Sequence, residues 1–214
     1  MSFFIYDMIF LVLFILLVGF FLYRHRSRGK WEGLLYLYRT QVGVKFIDYV
    51  DHHYGKYISK LKWVIILTGY VSMVVMTFLL VQLLYVFFKS PEIVRAVKIP
   101  PLAPLIPYLP ELFKVDFLPP FYFTYWIIAI AVIAIGHEFA HGIFAKINKV
   151  RVKSTGFGFL GPFLAAFVEP DEEEMKKIRK TDQLAILGAG SFANVLMTLI
   201  FLVLLWGVFA AGFT

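Results

Sequence analysis

Four long apolar stretches dominate this chain. They run from Phe3 to Tyr23, Trp63 to Phe88, Phe121 to Ala145 and Leu184 to Phe213. Each is long enough to cross a bilayer as a helix, which takes about 20 residues. Asp7 is the one formal charge in the first stretch, and the second has none. The chain is 60% hydrophobic and only 16% charged, whereas an ordinary soluble domain is about 25% charged. One soluble core could not take up so much apolar surface, so part of the solvent is lipid. The same composition excludes intrinsic disorder and fibrous repeats, and the absence of Cys excludes a disulfide-stapled domain. Without Cys there is no thiol catalysis and no thiolate metal site, which leaves His and carboxylates as ligands. The charges of the first stretch follow its apolar run and no small-residue cleavage site is evident, so it reads as a retained anchor.

Orientation follows from the basic residues. Segment 24–62 carries nine Lys and Arg and segment 146–183 carries eight, out of 21 in all. The positive-inside bias puts both segments in the cytosol and both termini outside the cell membrane. The net charge of +7 is thereby explained without a nucleic-acid partner; membrane lipid is the expected surrounding.

The connecting segments differ. Residues 31–62 mix Leu34, Phe46, Ile47 and Val50 with charges and His52–His53, as an interfacial amphipathic segment does. Segment 89–120 holds eight of the ten Pro, too many for a continuous helix or a central strand, and reads as an extended outer loop. Residues 154–168 are apolar but too short and Gly-rich to span, which favours a re-entrant hairpin shielded by protein or water. The run Glu169 to Lys180 reads as a solvated face with at most a short helix. The fold expected is an all-α polytopic membrane protein of about four transmembrane helices, with a short re-entrant hairpin after the third. Residues 1–62 would be an anchor span and amphipathic segment, and residues 63–214 a membrane core.

The third stretch contains Gly136-His137-Glu138-Phe139-Ala140-His141-Gly142. On a helix His137 and His141 lie one turn apart on one face and can grip one metal ion. Glu138 sits about 100° around the axis, where it can act as general base on a water at the metal. Ionisable groups inside an apolar span are costly and point to function. His137 lies roughly 12 Å from the cytosolic end of its span. A carboxylate di-iron site would need a second Glu-x-x-His, which the chain lacks. Two His on one turn cannot occupy opposite axial positions of haem. Zinc is the metal that fits.

With these residues the chain resembles the site-2 proteases, polytopic intramembrane zinc metalloproteases, and most of all their archaeal members. The resemblance covers roughly Trp63 to Phe213. It rests on the His137 to Gly142 motif, on Gly156-Phe157-Gly158, on Gly161-Pro162 and Phe167-Val168-Glu169-Pro170-Asp171-Glu172, and on Ala189-Gly190-Ser191-Phe192-Ala193-Asn194. The last is similar to the family's Gly-Pro-x-x-Asn, with Ser191 where Pro is usual. The resemblance implies that His137 and His141 are zinc ligands, that Glu138 is the catalytic base, and that Gly156, Phe157, Gly158 and Asn194 lie where substrate binds. It implies a hydrolase acting on single-span transmembrane proteins, with the site toward the cytosolic side. The family's third ligand, an Asp in Leu-Asp-Gly on a later span, has no counterpart here. Two expectations follow: the chain is the amino-terminal part of a longer protease, or it is a catalytically incomplete membrane scaffold or substrate-binding fragment. Glu169 and Asp171, the first acidic residues after the motif, are the candidates for a third ligand within the chain.

Single Cys residues test the topology, since the chain has none of its own. Ser2→Cys and Lys114→Cys should react with an impermeant thiol reagent in intact cells, and Ser27→Cys and Lys177→Cys only after permeabilisation. The opposite pattern would invert the assignment.

Overall fold

The computed structural model describes residues 3–25, 30–33, 35–90, 92, 106–108, 120–160 and 163–213. The elements in chain order are α1 (Phe3–Arg24), β1 (Lys30–Glu32), β2 (Leu35–Thr40), α2 (Val42–Ile58), α3 (Lys62–Lys89), α4 (Phe123–Ile147), β3 (Val152–Leu160), β4 (Phe163–Pro170), α5 (Glu172–Lys177) and α6 (Lys180–Phe213). A single 3-10 turn, Ser59–Leu61, joins α2 to α3. Among the described residues four helical segments are long and apolar enough to cross a membrane: Phe3–Arg24, Val42–Lys89, Phe123–Ile147 and Lys180–Gly212. A helix satisfies its backbone polar groups within itself, which is why apolar runs of this length adopt it in lipid.

The expectation of an all-α chain is corrected by a four-stranded antiparallel sheet in the order β1-β2-β3-β4. The Gly-rich segment forms a hairpin of two strands, with Gly156 opposite Phe167 and Thr155 opposite Val168. Its inner partner β2 comes from the segment read as amphipathic, where Leu-Tyr-Leu-Tyr-Arg-Thr has the aromatic and alternating character of a strand. Arg39 of β2 lies opposite Gly156. A Cβ on Gly156 would stand 2.0 Å from the Tyr38 carbonyl oxygen and 2.9 Å from the Phe167 ring. Only a residue without a side chain lets β2 and β3 pair there. The glycine requirement at 156 is therefore one of space; of the described glycines only Gly33 has a positive φ. The rest of segment 31–62 is the amphipathic helix α2, and the run after Glu169 forms only the short α5. The outer-loop expectation for 89–120 falls largely outside the described residues.

By internal packing the chain divides into two units, Met1–Arg26 with Met73–Ile130 and Ser27–Ser72 with Ala131–Thr214. In the first, Phe123, Trp126 and Ile127 are buried with Leu11, Phe14 and Tyr108 against them. The buried Asp7 carboxylate accepts from the amides of Phe123 (2.9 Å) and Thr124 (2.8 Å), from the Thr124 hydroxyl and from the Tyr108 hydroxyl. A carboxylate at the first turn of α4 satisfies amides that have no partner within the helix and complements the helix dipole.

The second unit holds the larger core. Ile47 of α2, Ile65 and Ile66 of α3, Phe144 and Ala145 of α4, Val150 and Val152, and Ala185, Ile186 and Ala189 of α6 are buried together. Small residues let the helices close on one another. A Cβ on Gly188 would sit 3.1 Å from the Ile65 carbonyl oxygen, and one on Gly69 would sit 3.6 Å from Gly188 Cα. At the polar end of this packing Asp182 pairs with Lys62 and with Arg179 (3.0 Å for the latter).

Gly156→Val should cost about 3 kcal/mol of stability through overpacking against a strand backbone. Gly158→Ala, whose Cβ would meet only the tip of Leu37 at 3.2 Å, should cost less than about 1 kcal/mol. Thermal unfolding of the purified variants checks the difference, and equal losses would contradict the packing described.

Candidate metal centre

His137 and His141 occupy successive turns of α4, and their Nε2 atoms are 3.1 Å apart. Two imidazoles bound to one tetrahedral ion at 2.0–2.1 Å would hold their nitrogens about 3.3 Å apart. The spacing therefore suits zinc. His141 Nδ1 lies 2.7 Å from the Ile186 carbonyl oxygen of α6. That contact orients the ring, and with the proton on Nδ1 it leaves the Nε2 lone pair for a metal.

The face opposite the imidazoles is α6 at Gly190. A Cβ there would lie 2.4 Å from both Nε2 atoms and 2.5 Å from His137 Cε1, so any side chain at 190 would fill the space in which the rings converge. Asn194 follows one turn later on the same face of α6. Its Oδ1 is buried with no hydrogen-bond partner among the described residues. An orphaned acceptor here awaits a donor. Gly190 lies eight residues beyond Asp182 and His137 eight before Ala145, each about 12 Å along its helix. The two helices thus bring their site residues to one depth from their polar ends.

Glu138 leaves the axis in a different direction and meets the sheet. Its Oε2 accepts from the Val168 amide at 3.1 Å. β4 is the last strand of the sheet, so the Val168 amide points away from β3 along an edge that no other strand covers among the described residues. In an antiparallel strand the backbone groups of Ala166 and Leu164 face the same way. Gly142 makes this approach feasible, since a Cβ on it would stand 2.9 Å from Val168 Cγ1 and 2.6 Å from Ile47 Cδ1. Beside Val168 opens a groove of about 630 Å³, with Leu37, Phe167 and Met175 as apolar walls and Arg39 and Lys176 at its margin.

Of the residues singled out in the sequence, His137 and His141 meet at one point, Glu138 stands beside the β4 edge, and Gly156, Phe157 and Gly158 lie on β3, one strand in from that edge. Phe157 is 40% exposed, while Gly156 and Gly158 are buried. The two acidic residues that first follow the motif are engaged elsewhere. Glu169 accepts from Ser154 Oγ (2.6 Å) and Arg39 Nε (3.0 Å). The Ser154 hydrogen bond, against the effect of burial and with help from Arg39, holds its carboxyl below the usual carboxylate range. Asp171 caps α5 by accepting from the Glu173 and Glu174 amides and also pairs with Arg151 and Lys153 at 3.3 Å. The Glu174 amide is the main cause of its lowered pKa. Among the described residues no group of three His, Cys, Asp or Glu could hold a metal. Sequence reasoning did not find the Ile186 carbonyl, the Val168 amide or the contact role of Gly190. The one visible sign was Gly190 four residues before Asn194.

Gly190→Ala should displace the imidazoles and lower zinc affinity by about 10- to 100-fold. Zinc titration of the purified variant against the unaltered chain measures this. Unchanged affinity would mean that the rings converge on nothing.

No solved structure matches this chain significantly. Over 74 residues it is 45% identical to uncharacterized protein MJ0971 of Methanocaldococcus jannaschii, a stretch covering 34% of this chain and 20% of that protein. The chain thus spans about a fifth of the length of that relative. A wider match, to the sequence model of peptidase family M50, runs from residue 125 to residue 213. It takes in the histidine helix, the β3–β4 hairpin and α6 with Gly190 and Asn194. This stretch of the chain is similar to peptidase family M50.

Proposed function

We propose that the chain forms part of an intramembrane zinc metalloprotease that cleaves single-span transmembrane proteins. The observation that carries this reading is the convergence of two imidazole nitrogens at 3.1 Å on the bare face of Gly190, within a stretch that matches a peptidase family. His137 and His141 would hold the ion. When bound, zinc supplies Lewis acidity that polarises the scissile carbonyl and acidifies water. Glu138, fixed by the Val168 amide, takes the proton of the attacking water and returns one to the leaving amine. A third ligand comes from outside the described residues.

A transmembrane substrate must unwind before attack, because its carbonyls are otherwise tied up in its own helix. The hairpin, in this reading re-entrant into the membrane, supplies an edge to receive the unwound segment. Ala166 and Leu164 offer outward backbone groups in line with Val168, so an extended peptide added to β4 would pass Glu138. Asn194 Oδ1 supplies an acceptor for an amide of the same segment. Phe157, Gly156 and Gly158 support the edge from the strand behind. Both chain termini lie outside the cell and the site opens toward the cytosol.

Measurements on residues 1–214 and on a longer protein together separate this from a scaffold without catalysis. With two ligands the chain should bind zinc weakly and cleave a single-span reporter slowly or not at all. A longer protein supplying an Asp ligand should cleave it. In that protein His137→Ala and His141→Ala should lose metal, whereas Glu138→Gln should keep metal and lose about 10²- to 10⁴-fold in rate. Full proteolysis by residues 1–214, or an active Glu138→Gln variant, would overturn the assignment.

A further inference from the structure

Helix α2 is amphipathic in a way that its packing does not use up. Gly43, Ile47 and Gly55 form its buried face, against Thr155, Gly142 and Ile147 respectively. Val42, Phe46, Tyr49, His53 and Tyr57 recur at intervals of three and four and share the opposite face. All five are exposed; Val42 is 75% and Tyr57 67% accessible. The charged border of this stripe is basic. Lys45, Lys56 and Lys60 border it, all exposed and without an ion-pair partner among the described residues. The acidic residues of the helix lie further round, toward its buried face, where Asp48 pairs with Lys146 at 2.7 Å.

We propose that α2 docks on an anionic phospholipid surface, its aromatic stripe among the headgroups and its lysines against the phosphates. Three features select this occupant. The helix passes through the 3-10 turn directly into α3, a segment apolar enough to cross a membrane, so it lies at the boundary of the bilayer. Exposed Tyr54, Tyr57 and Trp63 cluster at that junction, the composition found where protein meets headgroups. The stripe is bordered only by basic groups, which suits anionic lipid. A second copy of the same face would bring like charges together. Docking would bear on the candidate metal centre, because the Phe46 ring also meets the edge of Phe139 at 5.4 Å, and Phe139 follows Glu138.

The test uses the full chain, in which Tyr49→Cys provides the sole thiol for an environment-sensitive fluorophore. The labelled protein is placed in nanodiscs of phosphatidylcholine alone or with phosphatidylglycerol. With the anionic lipid, the label should shift to blue emission and be quenched by headgroup-labelled lipid. Each lysine should contribute about fivefold to the ratio of docked to undocked helix, so the variant Lys45→Gln, Lys56→Gln, Lys60→Gln should lower it about a hundredfold. Its thermal unfolding should be unchanged, since these side chains are exposed; Lys56→Gln alone gives a milder second comparison. A water-like label in both lipids, equal signals with and without phosphatidylglycerol, or no effect of the lysine variants would overturn the proposal. So would a signal that requires two copies per disc, with the unlabelled Tyr49→Cys variant forming cross-links through its thiol, which would assign the stripe to self-association.

Discussion

The candidate site depends on a side chain that is missing. Gly190 lets α6 lie against the two imidazoles, and the Ile186 carbonyl, one turn earlier, takes hold of His141. A single methyl group would occupy the point toward which both Nε2 atoms are directed. Helix contacts in lipid gain little from the hydrophobic effect and rely on close backbone approach. The same principle operates lower on α6, where Gly188 meets Ile65 and Gly69. Two glycines two residues apart thus serve different neighbours: one seats the helix on α3, and the other clears room for the histidines.

Glu138 ties the helical part of the site to the sheet. Its bond to the Val168 amide places a carboxylate at the free edge of β4, and Gly142 keeps α4 near enough for that bond to form. The outward polar groups of an edge strand invite pairing with another extended chain. Here the edge lies against a helix at one residue, and no other strand pairs with it among the described residues. Arg39 and Ser154 reinforce the strand by holding Glu169, which ties β2, β3 and β4 together through one carboxylate.

The parts of this arrangement that were legible in the sequence are those governed by local periodicity. The spans follow from runs of apolar residues, and the histidine pair follows from its spacing of four. The sheet was not legible, because β2 pairs with β3 across more than a hundred residues and because Gly156 resembles a turn residue until the Tyr38 carbonyl is brought against it. Asp7 looked like a lone interruption in an apolar run, since its donors lie at Tyr108, Phe123 and Thr124. The groups that orient the His141 imidazole and the Glu138 carboxylate are a backbone carbonyl and a backbone amide. Nearly every residue has these, so no residue type could reveal them.

The Asp7 cluster imposes an order on biogenesis. When α1 first reaches the bilayer, the residues that will satisfy its carboxylate have not yet been synthesised. An ionised group without donors is expensive in hydrocarbon, so the first helix has to remain near the headgroups with Asp7 in contact with water. Only after the start of α4 arrives, more than a hundred residues later, do two amides and two hydroxyls replace that water. The anchor is thus provisional during translation and becomes final on assembly, and the helix that carries the histidines is the one that completes it.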